Sequence, residues 1–321
     1  MSVRSIFHLL LFLVSISVFG QVDSLYISPF EKPYGVSVYS SREFLSMSYV
    51  NSKGEDKSFE PNKPISLGVK FAWNNSSISY SYGLPFMRSG SMGKSKFIDF
   101  KYNYYASQIV FDAYFQQYKG FSMANTEGGY DVYDDLSIRL YGISMDYVFN
   151  SKKFSMAAAY DHKERQLLSA GSWLLGGSFF YTKLNNVPLI DEELVNYDKR
   201  VISMGPRIGY GYNLVARKNL LIAATFSLGV DGALEKELST SRTRFRVNPQ
   251  AQLRFSANYQ YRDWMFGITS LYHTLLMGTN KKYYVELRNT NIQFLVTKRF
   301  TLVNPPVILR HDFKDVFHRN R

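Results

Sequence analysis

The segment SISYSYG, Ser77 to Gly83, places a serine at every second position and a large apolar or aromatic residue between. Alternation with period two is what a β-strand produces when its two faces meet different surroundings. In a soluble sandwich the apolar face is the core and the small polar face meets water. In a membrane barrel the arrangement inverts, with bulky residues facing lipid and small or polar ones facing the lumen. Either way, Ile78, Tyr80 and Tyr82 belong to one face and the serines to the other.

The same alternation recurs through the chain. In SLGVKFAW, Leu67, Val69, Phe71 and Trp73 oppose Ser66, Gly68, Lys70 and Ala72, and Asn74-Asn75 turns this segment into SISYSYG as a hairpin. Ile98, Phe100, Tyr102 and Tyr104 oppose Asp99, Lys101 and Asn103, while Ile109, Phe111, Ala113 and Phe115 oppose Val110, Asp112, Tyr114 and Gln116. Tyr141, Ile143, Met145 and Tyr147 oppose Gly142, Ser144 and Asp146. The second half repeats the theme around Ile202–Tyr212, Ile222–Val230, Leu253–Tyr259, Trp264–Tyr272 and Ile292–Val296. Segments of about 10 residues suit tilted strands crossing hydrocarbon. The second face is rich in Gly, Ala and Ser, as a crowded lumen requires. The fold expected is an all-β, transmembrane, antiparallel up-and-down barrel of about 12 to 14 strands; a soluble exported sandwich is the alternative.

Composition agrees with the barrel. Tyrosine and phenylalanine number 25 each, yet the mean hydropathy is only −0.20 and no long apolar run follows residue 19. That excludes a bundle of spanning helices and fits strands whose lipid-facing half alone is apolar. Residues 1–20 have the signature of a cleaved leader: Arg4, an apolar stretch from Leu9 to Phe19, and a small residue at Gly20. The expected organisation is a leader at 1–20, a periplasmic lead-in at 21–33, a barrel at 34–300 and a basic tail at 301–321, in which Pro305-Pro306 cannot continue a paired strand. The chain has no cysteine, which removes disulfides, thiol nucleophiles and thiolate metal sites together. A formal charge of +12 on an exported protein reads either as solvated loops and turns or as a surface for outer-membrane lipid headgroups, lipopolysaccharide phosphates or acidic polymers; other envelope proteins are further expected partners, and nucleic acid is not.

Turns are expected at Asn74-Asn75, Ala106-Ser107, Asn150–Lys152 and Tyr261–Asp263, and long polar loops at 51–64, 83–95, 117–134, 183–199 and 231–244. The alternation of short turns and long loops slips by one strand between residues 160 and 200. Either 34–50 is one long strand, or the count fails near 163–183.

Chemistry is sparse. In the expected barrel the histidines are His162 and His273, with His311 and His318 in the tail. The run Asp161-His162-Lys163-Glu164-Arg165-Gln166, followed by Ser169 and Ser172, is the one local cluster resembling a hydrolytic site. As a strand it would send Asp161 and His162 to opposite faces, so it reads as a charged strand end meeting water. SAGSWLLGG lacks the nucleophile-elbow spacing. No metal-ligand spacing stands out, and neither catalytic residues nor a cofactor are expected. The most informative set is the inward charge: Lys70, Asp99, Lys101, Asp112, Asp146, Arg207 and Arg254. Mixed signs in a narrow lumen either pair to close it or line a selective passage. Tyr102, Tyr104, Tyr105, Tyr210, Tyr212, Tyr259 and Tyr261 are read as interfacial girdle residues, and Tyr118, Phe121, Tyr130 and Tyr133 as loop aromatics that could face a sugar.

The runs FEPNKPISLGVKFAW (59–73), KFIDFKYNYYASQIVFDAYFQQYKGF (96–121), YVFNSKKFSMAAAYDHKERQLLSAGSWLLGG (147–177) and GPRIGYGYNLV (205–215), in this order, resemble the Bacteroidota domain-of-unknown-function family 4421. The resemblance spans about residues 26 to 300 and implies an outer-membrane β-barrel. It carries over no catalytic residue. The function expected is a structural or interaction barrel of the cell envelope without enzymatic activity; a pore for small polar solutes is the alternative, and a rim enzyme acting on lipid the third.

Overall fold

A computed structural model of the chain describes residues 22–51, 56–63, 65–188, 197–238, 241–278 and 283–310. The leader expected at 1–20 and the tail residues 311–321, with His311 and His318, lie outside them. The strands are β1 (Ile27–Pro29), β2 (Tyr34–Asn51), β3 (Asp56–Glu60), β4 (Ser66–Trp73), β5 (Ser76–Gly83), β6 (Lys96–Tyr105), β7 (Ile109–Ala124), β8 (Tyr130–Val148), β9 (Glu164–Gln166), β10 (Ala170–Val187), β11 (Tyr197–Arg217), β12 (Leu220–Glu237), β13 (Thr243–Tyr261), β14 (Trp264–Gly278) and β15 (Tyr283–Phe300).

Every pairing is antiparallel, and β15 returns to β2, so the sheet closes. Among the described residues the ring holds twelve strands at the end where β2 begins: β2, β4 to β8 and β10 to β15. At the other end β3 spans directly from β2 to β7, replacing β4, β5 and β6 and leaving ten. A row of hydrogen-bonded partners leaving β2 at Gly35 returns to the same strand near Tyr49. A stagger of about 14 residues over twelve strands tilts them by roughly 40°.

Among the described residues, the tight connections lie at the twelve-stranded end, here the turn end. Asn74-Asn75 joins β4 to β5 with Asn74 at φ 44°, and Arg262-Asp263 joins β13 to β14 with Arg262 at φ 53°. Asparagine tolerates this left-handed conformation better than most residues. The long strands run from 15 residues in β14 to 21 in β11, not the 10 expected. At about 2.5 Å of axial rise per residue they reach roughly 38–53 Å, well past a hydrocarbon core of about 30 Å. Most of 117–134 and 231–244, expected as loops, is therefore strand. β2 is one long strand, and within 163–183 the stretch Glu164–Gln166 is the short strand β9, paired with β1 outside the ring, before β10 begins at Ala170.

Two opposite burial patterns share these strands. Near the turn end the bulky residues point out and the small ones in. Ser77, Ser79 and Ser81 are 0, 9 and 4% exposed, while Ile78, Tyr80 and Tyr82 are 39, 47 and 59% exposed. Small inward residues let aromatic side chains fold over the neighbouring strand: Tyr39 lies over its partner Gly68 and Tyr114 over its partner Gly142, leaving no room for a Cβ. Toward the loop end the pattern reverses. Leu45, Met47, Leu136, Ile138, Leu140, Phe180, Leu184, Leu275 and Leu287 point inward and form one buried apolar cluster. On β8 the phase changes between Leu140, which is buried, and Tyr141, which is exposed.

Candidate functional site

The lumen is filled in three layers. At the turn end, the connection from β8 to β10 folds into the barrel. The expected turn at Asn150–Lys152 is present, with the Lys153 amide donating to Asn150 O at 3.1 Å, but the chain after it does not return as a hairpin. It carries a π-helical turn, Ala157–Asp161, and the short strand β9, which pairs with β1 of the lead-in. The small side chains of Ala157, Ala158 and Ala159 let this turn sit against the strands. Its polar groups are met by the wall. Ser256 Oγ and Asn258 Nδ2 donate to the Ala159 carbonyl at 2.7 and 2.8 Å, Asn213 Nδ2 donates to Ser155 O at 2.8 Å, and Tyr160 shares a hydrogen bond with Thr225 at 2.8 Å.

Asp161 lies between Lys70 of the wall and Lys163 of its own segment, and Ser77 donates to it at 2.7 Å. His162 Nε2 meets Asn258 Oδ1 at 2.9 Å. Both are buried, 3 and 2% exposed, so the reading of 161–166 as a strand end in water is corrected. The segment is an inward fold, and the strand-parity argument does not apply to it. Asp161 is engaged by lysines and His162 by an asparagine, so the two do not form a nucleophile-activating pair.

Above this segment lies the inward charge. Arg207 grips Asp146 through two parallel hydrogen bonds, Nε to Oδ1 at 2.8 Å and Nη2 to Oδ2 at 2.5 Å. Arg254 donates to Asp112 at 2.6 Å and to the Tyr105 hydroxyl at 2.7 Å, and Asn103 completes Asp112 at 2.6 Å. Lys101 lies 3.2 Å from Asp99. All seven charges named from the sequence thus point inward; six are paired with one another and Lys70 with Asp161. Such pairing is what makes charge tolerable away from water. A cavity of about 170 Å³ remains among Lys101, Arg207, Arg254, His162 and His273.

A second hub went unread because β2 was not resolved into faces. Glu43 accepts from Tyr118 at 2.9 Å, Gln116 at 3.1 Å and Asn289 at 2.8 Å, and pairs with Lys63 from the segment between β3 and β4. Glu235, inward on β12, likewise meets Lys199 at 2.7 Å and Arg246 at 3.5 Å. Beyond Glu43 comes the apolar layer. Tyr118 and Phe121 belong to that layer and are buried, so they are not loop aromatics; Tyr130 is exposed and Tyr133 half-buried. Tyr105 faces the lumen and Tyr104 is covered, which removes both from the girdle, whereas Tyr210, Tyr212, Tyr259 and Tyr261 are exposed near the turn end. Among the described residues no three metal-ligating side chains cluster.

Closed antiparallel pairing around a filled lumen defines a β-barrel. The model of the family described as "Domain of unknown function (DUF4421)" matches residues 21–300, and the chain belongs to that family. No curated protein matches the sequence. Among solved structures the chain is similar to the outer membrane protease OmpT of Escherichia coli, with 6% identity and a TM-score of 0.39 over 85% of this chain and 98% of that one. It is also similar to the beta domain of the Bordetella autotransporter BrkA, with 9% identity and a TM-score of 0.38 over 82% and 99%. The toluene transporter TodX of P. putida follows, with 6% identity and a TM-score of 0.28 over 84% and 91%.

Proposed function

We propose that this protein is an outer-membrane β-barrel with a sealed lumen, exported through the leader at 1–20, that serves a structural or interaction role in the cell envelope without enzymatic activity. Support for the membrane comes from the outward apolar belt near the turn end, edged by Tyr212, Tyr259, Tyr261 and Trp264. Short turns then face the periplasm and the long strand extensions face outward from the cell. The single observation that carries the sealed lumen is the in-folded 149–169 segment, locked by Asp161 between Lys70 and Lys163.

Conductance of the refolded barrel in a planar bilayer tests this reading. A silent bilayer is expected. Stable open steps whose ion selectivity changes in Arg254→Glu would overturn it and favour a pore for small polar solutes, a second reading that draws on the charged cavity. A rim enzyme acting on lipid has little to support it, because His162 is buried in the lumen rather than set at the rim. Lipid hydrolysis abolished by His162→Ala would revive it.

A further inference from the structure

On the outer surface, four cations stand directly opposite one another across four adjacent strands. Arg139 of β8 pairs in register with Lys183 of β10, Lys183 with Arg200 of β11, and Arg200 with Lys236 of β12. Arg139, Arg200 and Lys236 are exposed and Lys183 is half-buried. Three strand spacings make the row roughly 14 Å long. Like charges directly opposite on neighbouring strands repel, and among the described residues none of the four forms an ion pair. The acid two residues from Arg200, Asp198, turns its carboxylate to the Asn186 amide at 2.8 Å. The arrangement costs stability, and among the described residues no carboxylate is ion-paired with it.

One residue pair nearer the turn end, on the same face, lies the row Tyr141, Tyr181, Ile202 and Leu234, also in direct register. Phe245, opposite Leu234, and Val247 extend this apolar surface; both are about two-thirds exposed. A linear array of positive charge bordering an apolar face fits an amphiphile with several phosphates on a rigid headgroup and acyl chains below it. We infer that the row Arg139–Lys183–Arg200–Lys236 binds the phosphorylated glycolipid of the outer leaflet, with its phosphates on the four cations and its acyl chains over Ile202, Leu234 and Phe245. This assignment rests on the outer-membrane reading above and deepens it by naming the lipid and its site.

The test uses the full mature barrel, refolded into neutral phosphatidylcholine vesicles, with binding of purified lipopolysaccharide measured for wild type and for Arg139→Gln/Lys183→Gln/Arg200→Gln/Lys236→Gln. Removing repulsion leaves the variant free to fold, which heat-dependent gel mobility verifies. At least a tenfold loss of affinity is expected in the variant, and a similar loss when wild type meets dephosphorylated lipopolysaccharide. Equal binding by wild type and variant would overturn the site. Equal affinity for phosphatidylglycerol vesicles, or competition by millimolar inorganic phosphate, would overturn the assignment to glycolipid. Failure of the wild-type barrel to insert into neutral vesicles would instead sink the membrane reading, so the two failures are distinguishable.

Discussion

The turn-side and loop-side halves of the barrel share nine long strands but have opposite insides. On β8, Gly142, Ser144 and Asp146 face the lumen of one half while Leu136, Ile138 and Leu140 face the lumen of the other. The outward partners invert too, from Tyr141, Ile143, Met145 and Tyr147 to Ser137 and Arg139. The difference follows from what surrounds each half. An apolar belt needs an apolar surrounding, and its interior is then free to be polar if every charge is paired; a projection into water must be built like a soluble barrel, with its apolar residues inside. The lumen charges and the apolar cluster are therefore two solutions to filling the same tube.

The contrast can be broken at either end. The largest effect is expected from Phe180→Asp, which removes a buried ring and sets a carboxylate in the apolar layer. A cost of about 5 kcal/mol or more should prevent refolding. A heat-resistant, folded band on a gel for this variant would mean that the loop-side interior is wet. Arg207→Ala should follow at about 3–5 kcal/mol, since it strands buried Asp146. The double variant Arg207→Ala/Asp146→Ala should regain most of the loss in guanidinium unfolding; a double variant no more stable than the single would show that the pair is not coupled.

A third comparison locates the boundary on one strand. Ile143→Arg places a cation in the apolar belt and should cost about 2–4 kcal/mol in vesicles. Ser137→Arg, on the same face toward the loop end, should cost less, about 1 kcal/mol, from repulsion by Lys119 directly opposite and the lost Asn185 hydrogen bond. Equal costs would put both positions on the same side of the lipid edge. The smallest effect belongs to the turn. Asn74→Ala, at a positive φ, should lose about 1 kcal/mol without altering either half.

How much of this was legible follows from parity. The outward sets at 66–83, 98–115 and 141–147 were readable because each strand there keeps one phase, and the inward position of Lys70 through Arg254 came with them. The loop-side half was misread because its apolar residues lie on the other phase. Leu140-Tyr141 and Phe179-Phe180-Tyr181 are phase changes, with neighbouring bulky residues on opposite faces, and they are the signal that could have marked the boundary. The 149–169 segment left no periodic trace, because its position depends on distant polar partners, Lys70, Thr225 and Asn258, which no local pattern specifies. Glu43 and Lys63 were missed because β2 was not resolved into faces and Lys63 falls in the stretch expected as a loop, 51–64.

The shortcut made by β3 turns the tube into a funnel. Losing two strands of twelve reduces the circumference by about a sixth and the enclosed cross-section by roughly a third. The narrow mouth can be closed by side chains reaching across from opposite walls, as Tyr118, Phe180 and Leu287 do. The wide mouth is beyond such reach and has to be stopped with backbone, which is why a whole stretch of main chain, and not a ring of residues, occupies the end facing the lead-in.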